Sequence, residues 1–238
     1  TNQSVKIFSA VWSPLFLFAL AQTSAVFAQD ALSTNQDSAL YRGEELMLAG
    51  SYAAASEIFR QADGLDRIDG LIGASRALVM MGNYLEAEEI VADAIEDGAY
   101  ADFPLLTTQL AEIKRRTGQS RAALEILQQA IEGNAEPPVR SLVQYGSLLK
   151  FTGQQGQWQQ VLDRVVQRYN AGLVFSSEDV AMVALASWLM GNFHDANSLF
   201  DEATRANPNN LEAHTLWADL FLEKYNAADA ERSYQDAL

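Results

Sequence analysis

Cysteine is missing altogether from the 238 residues. Without it the chain can form no disulfide, no thiolate metal site, no cysteine nucleophile and no lipid anchor on a mature N-terminal cysteine. The absence does not fix a compartment, because disulfide-free proteins work in the cytosol and in a periplasm alike. Basic residues are scarce: 16 Lys and Arg stand against 31 Asp and Glu, a formal net charge of −15. Phosphate backbones need basic surface, so no nucleic-acid partner is expected, nor an anionic membrane surface. Histidine occurs only at His194 and His214, and neither belongs to an H-E-x-x-H or similar metal-binding arrangement. The pair His194–Asp195 has no further ligand at helical spacing. A G-x-S-x-G elbow, a G-x-x-x-x-G-K-[ST] loop and a G-x-G-x-x-G after a strand are all missing. Acidic pairs such as Glu44–Glu45 and Glu88–Glu89 fit the solvated face of an acidic helix. The expectation is a protein that is not an enzyme, with no cofactor and no metal.

What is present begins at the N-terminus. In "KIFSAVWSPLFLFALAQTSAVFAQD" a single positive charge, Lys6, precedes an apolar run from Ile7 to Ala21, and Ala25, Val26 and Ala28 precede Gln29. That order is the one a cleaved secretory signal shows. The run is about fifteen residues, shorter than the roughly twenty needed to span a bilayer, and Pro14 interrupts it. The expected division is a signal peptide at 1–28, a short linker at 29–35 and the body of the protein at 36–238. The expected location is periplasmic or secreted, with no integral membrane span after cleavage.

The body repeats itself. "GSYAAASEIFRQA" (50–62), "GNYLEAEEIVADA" (82–94), "GQSRAALEILQQA" (118–130) and "GNFHDANSLFDEA" (191–203) share one pattern. Gly is followed two residues later by an aromatic in three of the four, and Ala comes three residues further on. The glycines at 50, 82 and 118 are 32 and 36 residues apart, a period that marks stacked helical hairpins. Each Gly follows a helical pattern, and Gly ends a helix in the left-handed region without steric cost. In the segment after it, Tyr52, Ala55, Phe59 and Ala62 fall at helical intervals. Breaks such as "DGLDR", "GNAEPP" and "NPNN" separate the units.

These residues resemble the tetratricopeptide repeat (TPR) family. The resemblance is carried by Gly43, Gly50, Tyr52, Ala55, Phe59 and Ala62 in the first unit, and by Ala74, Gly82, Tyr84, Ala87 and Ala94 in the second. In the fifth it is carried by Ala184, Gly191, Phe193, Ala196, Phe200, Ala203 and Pro208, and in the sixth by Trp217, Ala218, Ala230, Tyr234 and Ala237. The third unit lacks the aromatic after Gly118, and the fourth carries an extra "QQG" before Trp158 with Val161 where Ala is expected. The resemblance implies an all-α solenoid of about six helix–turn–helix hairpins wound into a right-handed superhelix. The units are expected at approximately 36–67, 68–103, 104–138, 139–176, 177–210 and 211–238. The chain ends inside the apolar part of the sixth unit's second helix, so the array is expected to continue in a longer protein.

In that family the first helices of successive hairpins line a concave groove that often binds peptides. By register, the groove would hold Met47, Leu48, Arg76, Val79, Met80, Glu112, Arg115, Arg116, Ser147, Lys150, Phe151, Leu185, Trp188 and Leu189. The candidate partner-binding residues are Arg76, Arg115, Arg116, Lys150, Phe151 and Trp188. The cations, with Lys114 and Arg140, could meet a partner's carboxylates, or simply the negative end of their own helix. The family's clamp for chaperone tails is not formed convincingly by Asn35 and the later basic residues. The implied function is a non-catalytic interaction scaffold for a protein or peptide, with self-association through the repeat ends as a further option. The alternative is an N-terminal docking region of a larger secreted enzyme, because the stretch after Leu216 is similar to arrays that precede metallopeptidase-like domains.

Overall fold

The structure, a computed structural model, describes residues 38–97, 104–154, 156–224 and 226–237. The expected signal peptide and linker lie outside the described residues. Those described build twelve α-helices and no strand: α1 Ala39–Leu48, α2 Tyr52–Phe59, α3 Arg67–Met80, α4 Tyr84–Glu96, α5 Pro104–Arg116, α6 Ser120–Glu132, α7 Val139–Phe151, α8 Gln157–Asn170, α9 Ser177–Leu189, α10 Phe193–Ala206, α11 Leu211–Glu223 and α12 Ala227–Asp236. A short 3₁₀ turn, Gly64–Asp66, leads into α3. The helices pair in chain order as six antiparallel hairpins, from α1–α2 to α11–α12.

One turn closes five of these hairpins. Gly50, Gly82, Gly118, Gly153 and Gly191 all have positive φ, between 69° and 88°. The amide after each glycine donates back to the carbonyl five residues earlier: Ser51 to Leu46 at 2.8 Å, Asn83 to Leu78 at 2.9 Å, Gln119 to Lys114 at 2.8 Å. Gln154 to Leu149 and Asn192 to Ser187 repeat the bond. This is the Schellman arrangement, which satisfies the orphan carbonyls at a helix end and needs a residue that tolerates the left-handed region. Several starts carry side-chain caps. Ser38, Ser176 and Asn210 each accept a backbone N–H from the first turn of α1, α9 and α11, at 3.0–3.2 Å.

Hairpins stack through small residues set against large ones. The Phe59 ring of α2 lies between Gly43 of α1 and Gly73 of α3. A Cβ placed on either glycine would stand 2.4 Å or 2.6 Å from ring carbons. Gly70 meets the Phe59 carbonyl and Ala62 in the same way, and Gly146 of α7 meets Leu162 of α8. The largest core cluster runs from Val139 to Leu220 and includes Leu142, Val165, Val183 and Phe200. Smaller clusters continue the stack toward the N-terminus through Leu127, Ile113, Val91 and Phe59.

Overfilling this contact should destabilise the array, as emptying it should. Phe59→Ala is expected to lower stability by about 3–5 kcal/mol, and Gly73→Ala by about 1–3 kcal/mol because the ring has nowhere to go. Urea unfolding followed by circular dichroism measures both. A Gly73→Ala chain that unfolds at the wild-type urea concentration would show that the ring is not held from that side.

Candidate functional site on the inner helix row

The first helices α1, α3, α5, α7, α9 and α11 each pack on the next first helix, whereas the second helices pack on first helices but not on one another. Rows that touch lie on the inside of a curve, so the first helices form the concave face. Among the described residues no three His, Asp or Glu side chains gather to hold a metal. No helix among them is long and apolar enough to cross a membrane. His194 is solvent-exposed. His214 is buried, with Nε2 3.0 Å from the Pro208 carbonyl and Nδ1 unpartnered.

The cations read from the sequence find partners within the protein. Lys114 reaches Glu88 of α4 at 2.6 Å. Arg115 makes a two-pronged bond to Glu112, Nε to Oε2 at 2.8 Å and Nη2 to Oε1 at 2.7 Å, and Arg116 adds a third at 2.7 Å. Burial pushes the Glu112 carboxyl up, but the two guanidiniums outweigh it and hold it below the usual carboxylate range. Arg76 lies 3.6 Å from Glu44 of α1. Arg140, at the start of α7, is bound through both nitrogens to Glu212 of α11, one of them at 2.8 Å. Burial likewise works against both charges, yet their mutual attraction raises Arg140 and lowers Glu212. Arg76 adds to the pull on Glu212, while Asp179 and Glu112 add to that on Arg140. Burial raises the Asp179 carboxyl, against Ser176 and Arg140.

Lys150 and Trp188 come together. They share a cleft of about 350 Å³ at the turn end of hairpins four, five and six, lined also by Trp158, Leu185, Leu189, Phe193 and Glu223. The Trp188 indole N–H donates to Glu223 at 2.7 Å. The Lys150 ammonium donates to the Leu189 carbonyl at the end of α9 and lies 4.9 Å from the Trp158 ring centroid. Lys224 stands over the Phe193 ring at 2.9 Å. Phe151 is 81% exposed and sits beside the cleft in sequence without lining it. Arg115 and Arg116 lie one hairpin away on the same row, and Arg76 two hairpins away. Val79 is buried in the core. Trp158, Phe193 and Glu223 escaped the sequence reading as site residues. The two aromatics occupy the repeat's packing position, and only their place at the turn end brings them to the surface.

No protein-family model matches the sequence, and no curated protein does. Solved structures share its fold. A thermophilic TPR protein of Thermus thermophilus superposes with a TM-score of 0.53 and 18% identity, over 79% of this chain and 99% of that one. The APC/C hetero-tetramer Cut9–Hcn1 supplies a chain that superposes with a TM-score of 0.59 and 12% identity, over 90% of this chain and 41% of that one. The likeness at these identities is one of architecture. The chain is an all-α solenoid with a TPR-like fold.

Glu112 is the charge that keeps two arginines in place. Because Arg115 and Arg116 are nearly half exposed, with side-chain accessibilities of 47% and 43%, Glu112→Gln is expected to lower stability by only about 0.5–1 kcal/mol at neutral pH. A carboxyl held low in the fold stabilises above its unfolded pKa, and the benefit is lost as pH falls through the folded value. The gap between wild type and Glu112→Gln in urea midpoints should therefore close on acidification. A gap that stays constant from neutral to strongly acid pH would assign the loss to packing, not charge.

Proposed function

We propose that this protein is a non-catalytic scaffold that binds a peptide or protein partner on its inner helix face, outside the cytoplasm. The observation that carries the reading is the aromatic cleft of Trp158, Leu185, Trp188 and Phe193 at the turn end of hairpins four to six. Exposed apolar residues also stand at the last turns of other first helices: Leu48 is 55% exposed, Met80 53%, Phe151 81% and Leu222 49%. Exposed apolar surface of this kind marks interaction sites. Tryptophan in a partly desolvated cleft is the kind of residue that anchors a partner. The surface is carried on packed helices, so association orders little that was not already ordered. The TPR-like fold supports this reading as an analogy of architecture, and the N-terminal sequence 1–28 supports the location.

Peptides selected from a random library against the protein from residue 36 onward provide the test. Their affinity should fall at least tenfold, about 1.4 kcal/mol, in Phe151→Ala/Trp188→Ala, provided the helical content is unchanged. Arg121→Ala on the outer helix α6, 94% exposed at its side chain, should leave it unaltered. Peptides that bind both variants equally would remove the inner face as the binding surface. For the location, residues 1–28 fused to a phosphatase that is active only after export should give activity; an inactive fusion would withdraw that part.

A further inference from the structure

Arg140 and Glu212 sit on hairpins four and six, and hairpin five lies between them. Helix α9 packs on both α7 and α11, whose backbones do not pack on each other. Neighbouring helix axes lie about 8–10 Å apart, so two steps in a straight row would separate α7 and α11 by about 16–20 Å. An arginine and a glutamate at full stretch, meeting with a fork of two short bonds, bridge that gap across hairpin five. The pair is partly sheltered, with 33% and 39% of the side-chain surfaces accessible. Arg76 of α3, four hairpins before Glu212, lies within its field, so the row curves back on itself. Glu112 of α5 and Asp179 of α9 lie within the field of Arg140.

We propose that the Arg140–Glu212 pair is an ionic latch that sets the curvature of the array, holding the last hairpin inward over the concave face. Each is the second residue of its helix, and each side chain reaches out of its own hairpin to the other. The bond between them is the long-range contact, 72 residues apart in sequence, that the nearest-neighbour stacking of a solenoid does not require. Hairpin packing alone leaves the angle between successive units soft, and a two-pronged guanidinium–carboxylate bond has the directional geometry to fix it. Charge pairs with this degree of exposure are screened by salt, so the latch responds to ionic strength where the apolar stacking does not.

Because the chain has no cysteine, two introduced ones report on the latch directly. Spin labels on Arg164→Cys of α8 and Glu231→Cys of α12, both exposed, measure the spacing of hairpins four and six by pulsed electron resonance. The labelled protein should show a narrow distance distribution at low salt. Glu212→Gln should move it outward by a few ångströms and broaden it, and high salt should do the same to the labelled protein but not to Glu212→Gln. Glu178→Gln, which removes an exposed carboxylate from the neighbouring helix α9, should leave the distribution as it was. Circular dichroism of each variant separates an opened array from an unfolded one, and Arg140→Gln read in the same way supplies the second arm should Glu212→Gln lose helix. Identical distributions in all folded variants and at both salt concentrations would overturn the proposal, since α9 packing alone would then set the spacing.

Discussion

The contact on which the rest of the stack depends is a missing side chain facing a large one. Two helices of a hairpin, and the first helix of the next, approach closely where one of them carries little or nothing beyond the backbone. At Gly43, Gly73 and Phe59 this is carried to its limit, with the ring taking the space of two absent Cβ atoms. Gly146 with Leu162 repeats the arrangement with a smaller partner, and the buried alanines at 55, 74, 87, 111, 123, 184, 196 and 203 serve the same purpose elsewhere. A hairpin cannot bury this face alone, because half of the lining comes from its successor.

Electrostatics acts on what the packing leaves over. An acidic body would be expected to hold its few cations loosely on the surface, yet the ion pairs of the inner face tie one element to another or stiffen a helix end. Lys114 joins α5 to α4, Arg76 joins α3 to α1, and Arg140 joins α7 to α11. Glu112, with 17% of its side chain exposed, is flanked by two guanidiniums that neutralise it. These cations thus already have partners inside the fold, whereas the apolar cleft carries exposed surface with none.

The fold class was legible because its signals are local. Gly50, Gly82, Gly118 and Gly191 announce the turn by residue type, and their positive φ follows from the bond geometry of a Schellman end. The twofold alternation of helices follows from the spacing between them. The site was less legible, for a reason that Arg140 illustrates. Its nearest cations in sequence suggest a patch, whereas its partner, Glu212, lies on a helix two hairpins later and comes within reach only once hairpins four, five and six are stacked. That distance depends on the angles between units, and no single residue encodes it. Trp158 and Phe193 show the complementary case. Sequence register marks them as packing residues, and the structure shows the same rings also walling a cleft, because a side chain at a turn end has one face on the core and one on solvent.

The latch and the cleft occupy opposite ends of the same helices. Arg140 and Glu212 are the second residues of α7 and α11, while Lys150 and Glu223 lie near or at their last residues and border the cleft. At 1.5 Å per residue, the two ends of such a helix are roughly 15–20 Å apart. Helix α9, packed between α7 and α11, is then a natural fulcrum. If hairpin six rocks about it, the helix starts move apart as the helix ends move together, so releasing Arg140 from Glu212 would press Glu223 toward Trp188 at the cleft. The indole bond from Trp188 to Glu223, across the gap between hairpins five and six, is the contact that would register such a motion. Such a motion would link the charge pair to the hairpin-six wall of the cleft through the packing of α9 on α7 and α11.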